Sequence, residues 1–354
     1  MNKRRKQTVY KRCLIFGAAV FLSVLIAFGL VLVRSSSVKK DRGQSAEMTA
    51  ITLAASEAQT VSRSEPETEI REPAASFVVY PEKTSKSVKF SEDYDAQSAI
   101  LMCCDSNEVV AYRDENKRVY PASLVKVMTL IVAVENNDDI SRTVTVTDDM
   151  VFPMIEQEAS RAGFEPGESF ALEDALYGMI LESGADAALA AAVSTAGSEK
   201  AFVELMNGKA EELGLKNTHF TNVVGLHHEE NYTTAADMAV ILEYAIRNDT
   251  CRRFLEKYEY NTAPTPQHPE GLRFTSTLFS RMYGDEMPGV KILGGKTGYT
   301  DEAGNCIETY AEINGKTYIL VLCGGKTNWS NIYDTLSAYS VYCAGGKRYE
   351  PPEA

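Results

Sequence analysis

Apolar and polar positions divide the chain into three stretches of different character. The first is an uninterrupted apolar run from Cys13 to Val33 that contains no charged residue. A helix rises about 1.5 Å per residue, so roughly 20 apolar residues cross the hydrocarbon core of a bilayer, and residues 13–33 read as a transmembrane anchor. A basic tail over 1–12, with Lys3, Arg4, Arg5, Lys6, Lys11 and Arg12, precedes it. That bias holds the N-terminus in the cytoplasm and sends the rest outward, against a weaker pull from Arg34, Lys39 and Lys40. The alternative is a cleaved signal peptide, whose apolar core is usually about 7–15 residues and ends in small residues of the A-x-A kind. Here the run is longer and ends in Val33-Arg34-Ser35. The expected localisation is the cell membrane, single-pass, with the remaining chain extracytoplasmic.

The second stretch, 34–88, turns to Ser, Thr, Glu, Lys and Ala, is broken by Pro66, Pro73 and Pro81, and holds only two aromatics, Phe77 and Tyr80. Such a composition cannot bury enough apolar surface to offset its ordering entropy, and it predicts a disordered tether. The third stretch, 89–347, carries the periodic patterns of a folded domain, with 348–354 left as a tail. Ser98 to Cys103 and Glu108 to Tyr112 flank the turn residues Asp105-Ser106-Asn107, which predicts a hairpin. Asn305 to Ile313 and Lys316 to Cys323 flank Asn314-Gly315, the strongest short hairpin signal. Between these ends the period is helical, over Ala122–Val134, Leu172–Glu182, Ala185–Thr195, Glu199–Leu213 and Thr234–Arg247, and again over Asn331–Cys343. Strands from both chain ends around an internal helical block predict an α+β fold, a sheet with helices packed on it.

Charge and cysteine content narrow the chemistry. The 354 residues carry a net charge of −13 despite the basic start, so no nucleic-acid partner is expected. Of the seven cysteines, Cys103, Cys104, Cys306 and Cys323 sit in apolar, strand-like runs and read as buried thiols rather than a disulfide framework. His219, His227, His228 and His268 form no H-E-x-x-H pattern, no Cys-x-x-Cys occurs, and neither a metal nor a cofactor is expected.

Three segments carry candidate chemistry. Pro121-Ala-Ser-Leu-Val-Lys126 opens a helix that is apolar nearly all round, and its polar residues Ser123, Lys126 and Thr129 recur at i, i+3 and i+6 on one face. A lysine on a buried helix is costly unless it is paired or stays neutral. A neutral amine one turn from a hydroxyl can serve as base for a serine nucleophile. Ser-x-x-Lys is a short pattern that also occurs at Ser36 to Lys39 and Ser37 to Lys40. The second segment, Gly294-Gly-Lys-Thr-Gly-Tyr-Thr300, has the look of a phosphate loop, but the glycine that pattern needs falls at Val290. Lys296 and Thr297 on a strand edge instead offer a cation and a hydroxyl to a carboxylate, while Gly298 lets substrate lie against the backbone. The third, Leu181-Glu-Ser-Gly-Ala-Asp-Ala187, interrupts two helical patterns, so that Ser183 and Gly184 form a turn presenting a hydroxyl.

In order and spacing these segments resemble the penicillin-binding serine enzymes, with S-x-x-K first and K-T-G near the end. The nearer resemblance is to the low-molecular-weight serine D-alanyl-D-alanine carboxypeptidases. It extends through Met206-Asn207, Ala210, Leu213-Gly214, Thr218-x-Phe220-x-Asn222, Gly225-Leu226 and Thr234-Ala235, and covers most of 95–345. The resemblance implies a β-lactamase/transpeptidase-like fold, an antiparallel sheet flanked by helices with a helical subdomain carrying Ser183. It implies Ser123 as nucleophile toward a peptidoglycan stem peptide, Lys126 as its base and Ser183 as proton relay. It further implies an oxyanion hole from the N–H groups of Ser123 and Tyr299, Lys296 and Thr297 on the terminal carboxylate beside Gly298, and β-lactams as covalent inhibitors. One departure stands out: where the family's middle motif is usually Ser-x-Asn, this chain has Ala185. That motivates one alternative to a carboxypeptidase, a catalytically weak penicillin- or wall-binding protein; a DD-transpeptidase or endopeptidase is the other. A class A-like β-lactamase is set aside, since no Glu-x-x-x-Asn stands near His219 to Asn222.

Overall fold

Strands from the two chain ends build one sheet. In chain order these are β1 (Glu82–Lys89), β2 (Ser98–Cys103), β3 (Glu108–Arg113), and then, after two short ribbons, β8 (Lys291–Thr300), β9 (Gly304–Ile313) and β10 (Lys316–Gly325). The ribbons pair β4 (Thr143–Thr145) with β5 (Ser169–Ala171), and β6 (Glu259–Asn261) with β7 (Arg273–Thr275). The sheet runs β1-β3-β2-β10-β9-β8 and is antiparallel except where β1 lies parallel to β3. This computed structural model describes residues 79–282 and 287–351, all within the unit Ile70–Ala354. The expected anchor at 13–33, the basic tail and most of the expected tether lie outside the described residues.

The period of two along β9 and β10 sorts their side chains into two cores. Cys306, Tyr310, Ile319, Val321 and Cys323 face the helical block. Ile307, Ala311, Leu320 and Leu322 face the C-terminal helix through Ile332, Leu336 and Tyr339. Both faces are therefore covered, which is why β2 is buried along its whole length. The β9–β10 turn holds Asn314 and Gly315 both at positive φ, 53° and 74°, the backbone an Asn-Gly hairpin turn requires.

The helices are α1 (Val125–Glu135), α2 (Asp148–Glu156), α3 (Leu172–Leu181), α4 (Ala185–Ala196), α5 (Glu199–Glu212), α6 (Ala235–Arg247), α7 (Asp249–Leu255), α8 (Phe279–Met282) and α9 (Asn328–Tyr339). A π turn, Ser340–Ala344, continues α9. α1 is buried at all but its last two residues and packs against α3, α4, α5, α6 and α7, so its apolar circumference is the signature of a central helix.

The ordered region is wider than composition implied. β1 lies inside the stretch expected to be tether, and its sequence EKTSKSVK is exposed at nearly every position. Its hold is the main-chain ladder to β3, the Lys83–Glu115 ion pair at 2.6 Å and the bond from Ser87 Oγ to the Val109 carbonyl at 2.6 Å. Polar edge pairing of this kind leaves no hydrophobic alternation to read. Tyr80, also within that stretch, donates its hydroxyl to Asp237 in the first turn of α6. The expected tail likewise begins folded, with Arg348 on Asp334 at 3.0 Å and the Tyr349 amide on Ser337 Oγ at 3.0 Å.

Candidate active site

The chain enters α1 through Pro121, Ala122 with φ 48°, and a 3-10 turn over Ala122–Leu124. This start places Ser123 at the head of the helix and Lys126 one turn on. Lys126 Nζ lies 3.0 Å from Ser123 Oγ and also donates to the Val224 carbonyl. Thr129, next along the same face, donates to the Val223 carbonyl at 2.9 Å. The polar stripe on α1 thus faces the 222–225 loop. Asn222 fixes that loop by accepting from the amides of Val224 and Gly225 at 3.2 and 2.7 Å and donating to the Leu226 carbonyl at 2.9 Å. Gly225 has φ 85°, and a Cβ there would stand 1.9 Å from the Ala122 carbonyl oxygen, so only glycine lets the loop close on the serine turn.

Lys126 is 2% exposed. Burial, and after it the charge of Lys296, holds its amine well below the ordinary lysine range, with Asp186 opposing. The amine facing Ser123 is therefore poised to be neutral and to accept a proton.

Opposite this helix, Ser183 occupies the α3–α4 turn with φ 58°. Left-handed backbone at non-glycine residues is strained, and the described chain places two such residues, Glu158 and Ser183, on the cleft and a third, Ala122, directly before Ser123. Asp186, in the first turn of α4, accepts from the amides of Ala162, Gly163 and Phe164 at 2.7, 2.9 and 3.1 Å, fixing the segment that carries Ser160. Lys296, on β8, donates to Ser183 Oγ at 3.1 Å and to the Thr297 carbonyl at 2.8 Å. Burial pulls its amine down to about 7, with Glu308 opposing and Arg281 adding to the shift. Thr277 and Thr297 share a hydroxyl bond of 2.8 Å. β8 approaches the serine turn so closely that a Cβ on Gly298 would stand 2.8 Å from the Ser123 amide nitrogen.

These groups bound an open cleft of about 430 Å³, lined by Ser123, Lys126, Ser160, Ser183, Ala185, Thr277, Arg281, Thr297, Gly298 and Tyr299 among others. Of the candidate catalytic and substrate-binding residues, Ser123, Lys126, Ser183, Thr297, Gly298 and Tyr299 line it. Lys296 is the one set behind, 1% exposed and reaching the cleft through Ser183. Sequence reasoning missed Thr277, Arg281, the Ser160 segment and the Val224 carbonyl. Asn222 and Gly225, noted as part of a motif run, were the available signal for the last of these. Ala185 lines the cleft and brings no polar side chain to it.

A family model for D-alanyl-D-alanine carboxypeptidases, Peptidase S11, matches residues 82–327. The chain belongs to this family. It is 35% identical over 238 residues to the D-alanyl-D-alanine carboxypeptidase DacF of Bacillus subtilis, covering 66% of this chain and 58% of that protein. It is 32% identical over 245 residues to DacA of Escherichia coli K12, covering 66% and 57%. The chain thus spans less than two thirds of the length of these curated relatives. Among solved structures it resembles the Streptomyces K15 DD-transpeptidase, with TM-score 0.62 and 26% identity over 68% of this chain and 94% of that one. The D-alanyl-D-alanine carboxypeptidase of Mycobacterium tuberculosis H37Rv gives TM-score 0.60 and 29% identity over 71% and 92%. The fold is the transpeptidase-like one expected. All cysteines among the described residues are free thiols, Cys103, Cys251, Cys306 and Cys323 fully buried and Cys104 and Cys343 partly so.

Proposed function

We propose that this chain is a serine D-alanyl-D-alanine carboxypeptidase that removes the terminal D-alanine of peptidoglycan stem peptides through an acyl-enzyme on Ser123. The observation that carries the reading is the pair of amine–hydroxyl contacts across one cleft, Lys126 on Ser123 and Lys296 on Ser183. Neutral Lys126 takes the proton of Ser123 as Oγ attacks the carbonyl between the two D-alanines. The tetrahedral oxyanion is met by the backbone N–H groups of Ser123 and Tyr299, left open by the missing side chain of Gly298. Ser183 relays the proton held on Lys126 to the departing D-alanine amine as the C–N bond breaks, which restores its own hydroxyl and neutral Lys126. Water then attacks the ester and frees Ser123. Thr297 faces the substrate's terminal carboxylate with the charge of Lys296 behind it, and Thr277 and Arg281 on the same wall add a second hydroxyl and a permanent cation. A β-lactam entering the same way acylates Ser123, and its ring-opened product stays covalently attached.

The likeness to a DD-transpeptidase favours a second reading, in which an amine rather than water accepts the acyl group. Ala185 favours a third, a protein that binds penicillin or wall peptide with little turnover. For placement we keep a membrane anchor at 13–33 with the catalytic domain outside the cell. Its support is the apolar run behind a basic tail, since among the described residues no helix is long and apolar enough to cross a membrane.

The deciding experiment is labelling of the full chain with fluorescent penicillin, followed by assay of D-alanine release from a stem pentapeptide with and without an amine acceptor. Wild type should form a covalent adduct that Ser123→Ala loses, and should release D-alanine into water. Transfer of the acyl group to the acceptor in preference to water selects the transpeptidase, and an adduct without turnover selects the binder. No adduct refutes an acylating serine.

A further inference from the structure

The cationic wall of the cleft is backed by a carboxylate that the chemistry above leaves unused. In the β8–β9 ladder Glu308 stands directly opposite Lys296. Opposed residues of antiparallel strands carry their side chains on one face, with Cβ atoms about 4.5–5.5 Å apart. Here that face is the one turned to the helical block, where the alternate β9 residues Cys306 and Tyr310 pack. Glu308 is fully buried, and neither carboxylate oxygen has a hydrogen-bond partner among the described residues. A buried carboxyl without hydrogen bonds works against folding. Stability therefore gives no reason for it to stand there, whereas its neighbour does.

We propose that Glu308 is a positioning residue for Lys296: its charge across the ladder favours the ammonium form of that buried lysine, so that Lys296 sets a positive charge behind the cleft wall that receives a substrate carboxylate and donates to Ser183. The consequence for catalysis rests on the carboxypeptidase reading, while the coupling between the two side chains does not. The groups facing the pair are Cys306 on β9, Cys323 on β10, Arg281 on α8 and, across the cleft, Lys126 on α1. Burial and Arg281 work to strip the proton from Lys296, and Glu308 works to keep it. Burial likewise pushes the Glu308 carboxyl up, and Lys296 pulls it back. Each charge thus opposes, without cancelling, the effect of burial on the other.

The test is Glu308→Gln, which keeps the shape and removes the charge, with Glu308→Asp as the charge-preserving partner. Acylation of the full chain by fluorescent penicillin is followed from pH 5 to 9, alongside thermal melting. The alkaline limb should move to lower pH by about one unit in Glu308→Gln, a tenfold loss of ammonium form above the limb, and should return toward wild type in Glu308→Asp. Melting should be unchanged or raised in the Gln variant. A directly read titration of Lys296, by NMR of chains labelled at the lysine ε-carbon and assigned with Lys296→Arg, should show the same downward shift. A limb and a lysine resonance that stay in place overturn the proposal, as they would if Glu308 remained protonated throughout. Lower melting with an unmoved limb also overturns it, because Glu308 would then be structural. If wild type is not acylated at all, the carboxypeptidase reading fails, and the lysine titration still decides the coupling.

Discussion

Gly298→Ala places a methyl group where the proposed oxyanion hole must be open. The added Cβ would stand 2.8 Å from the Ser123 amide nitrogen, 3.2 Å from the Ala122 Cβ and 3.3 Å from the Leu124 amide nitrogen. Ordinary contact for a Cβ begins near 3.4 Å, so β8 and the serine turn must part by about 0.6 Å along the shortest of these lines. The backbone of Gly298 is not left-handed, and its own conformation accepts alanine. The effect is therefore steric and local. Overpacking of this size costs about 1–3 kcal/mol of stability, whereas blocking one oxyanion donor costs about 10²–10³-fold in rate. Stopped-flow acylation by fluorescent penicillin, read with the melting temperature, separates the two. The acylation rate should fall by at least a hundredfold in a protein that still melts cooperatively. Acylation within about threefold of wild type would refute the reasoning, since Ser123 N–H would then be unneeded or the strand free to retreat.

Two further outcomes test the site and the frame around it. Lys126→Met should lower acylation by about 10²–10⁴-fold, the span of a lost general base, while wild-type acylation should decline on acidification. The sign follows from burial: an amine held well below the ordinary lysine range is neutral to lower pH, and it ceases to be a base only when acid restores its proton. Gly208→Ala serves as the distant control, since a Cβ there, within α5, meets nothing within 4 Å. Thermal melts should report a gain of about 0.5–1 kcal/mol from the better helix former, with acylation unchanged.

Where side-chain period or turn chemistry carries the structure, the elements could be read from sequence. The β2–β3 and β9–β10 hairpins and helices α1, α3, α4, α5 and α6 fall within a few residues of the patterns that predict them. α7, at seven residues, and the three-residue ribbons are too short to show a period. β1 escaped because its partners are backbone groups and solvent-facing charges. The site shows the same division. Ser123 and Lys126 are legible from local spacing, and Ser183 and Lys296 from their motifs. Arg281 and Thr277 sit in a segment with no motif, and their part in the cleft exists only once α8 lies beside β8. Glu308 is equally hidden, as one of several polar letters in β9, with meaning only through the register that sets it against Lys296.

The order of the sheet also governs when this machinery can exist. β2, encoded near the start of the domain, pairs along its free side with β10, near its end, and β10 in turn seats β9 and then β8. A nascent chain that has emerged only through α8 holds the serine, its lysine and the opposing hydroxyl, but not the strand that closes on them. Pairing across so large a sequence separation is slow to nucleate. A product truncated before β8 therefore carries Ser123, Lys126 and Ser183 without Lys296, Thr297 and Gly298, and the cleft those residues share is not yet formed.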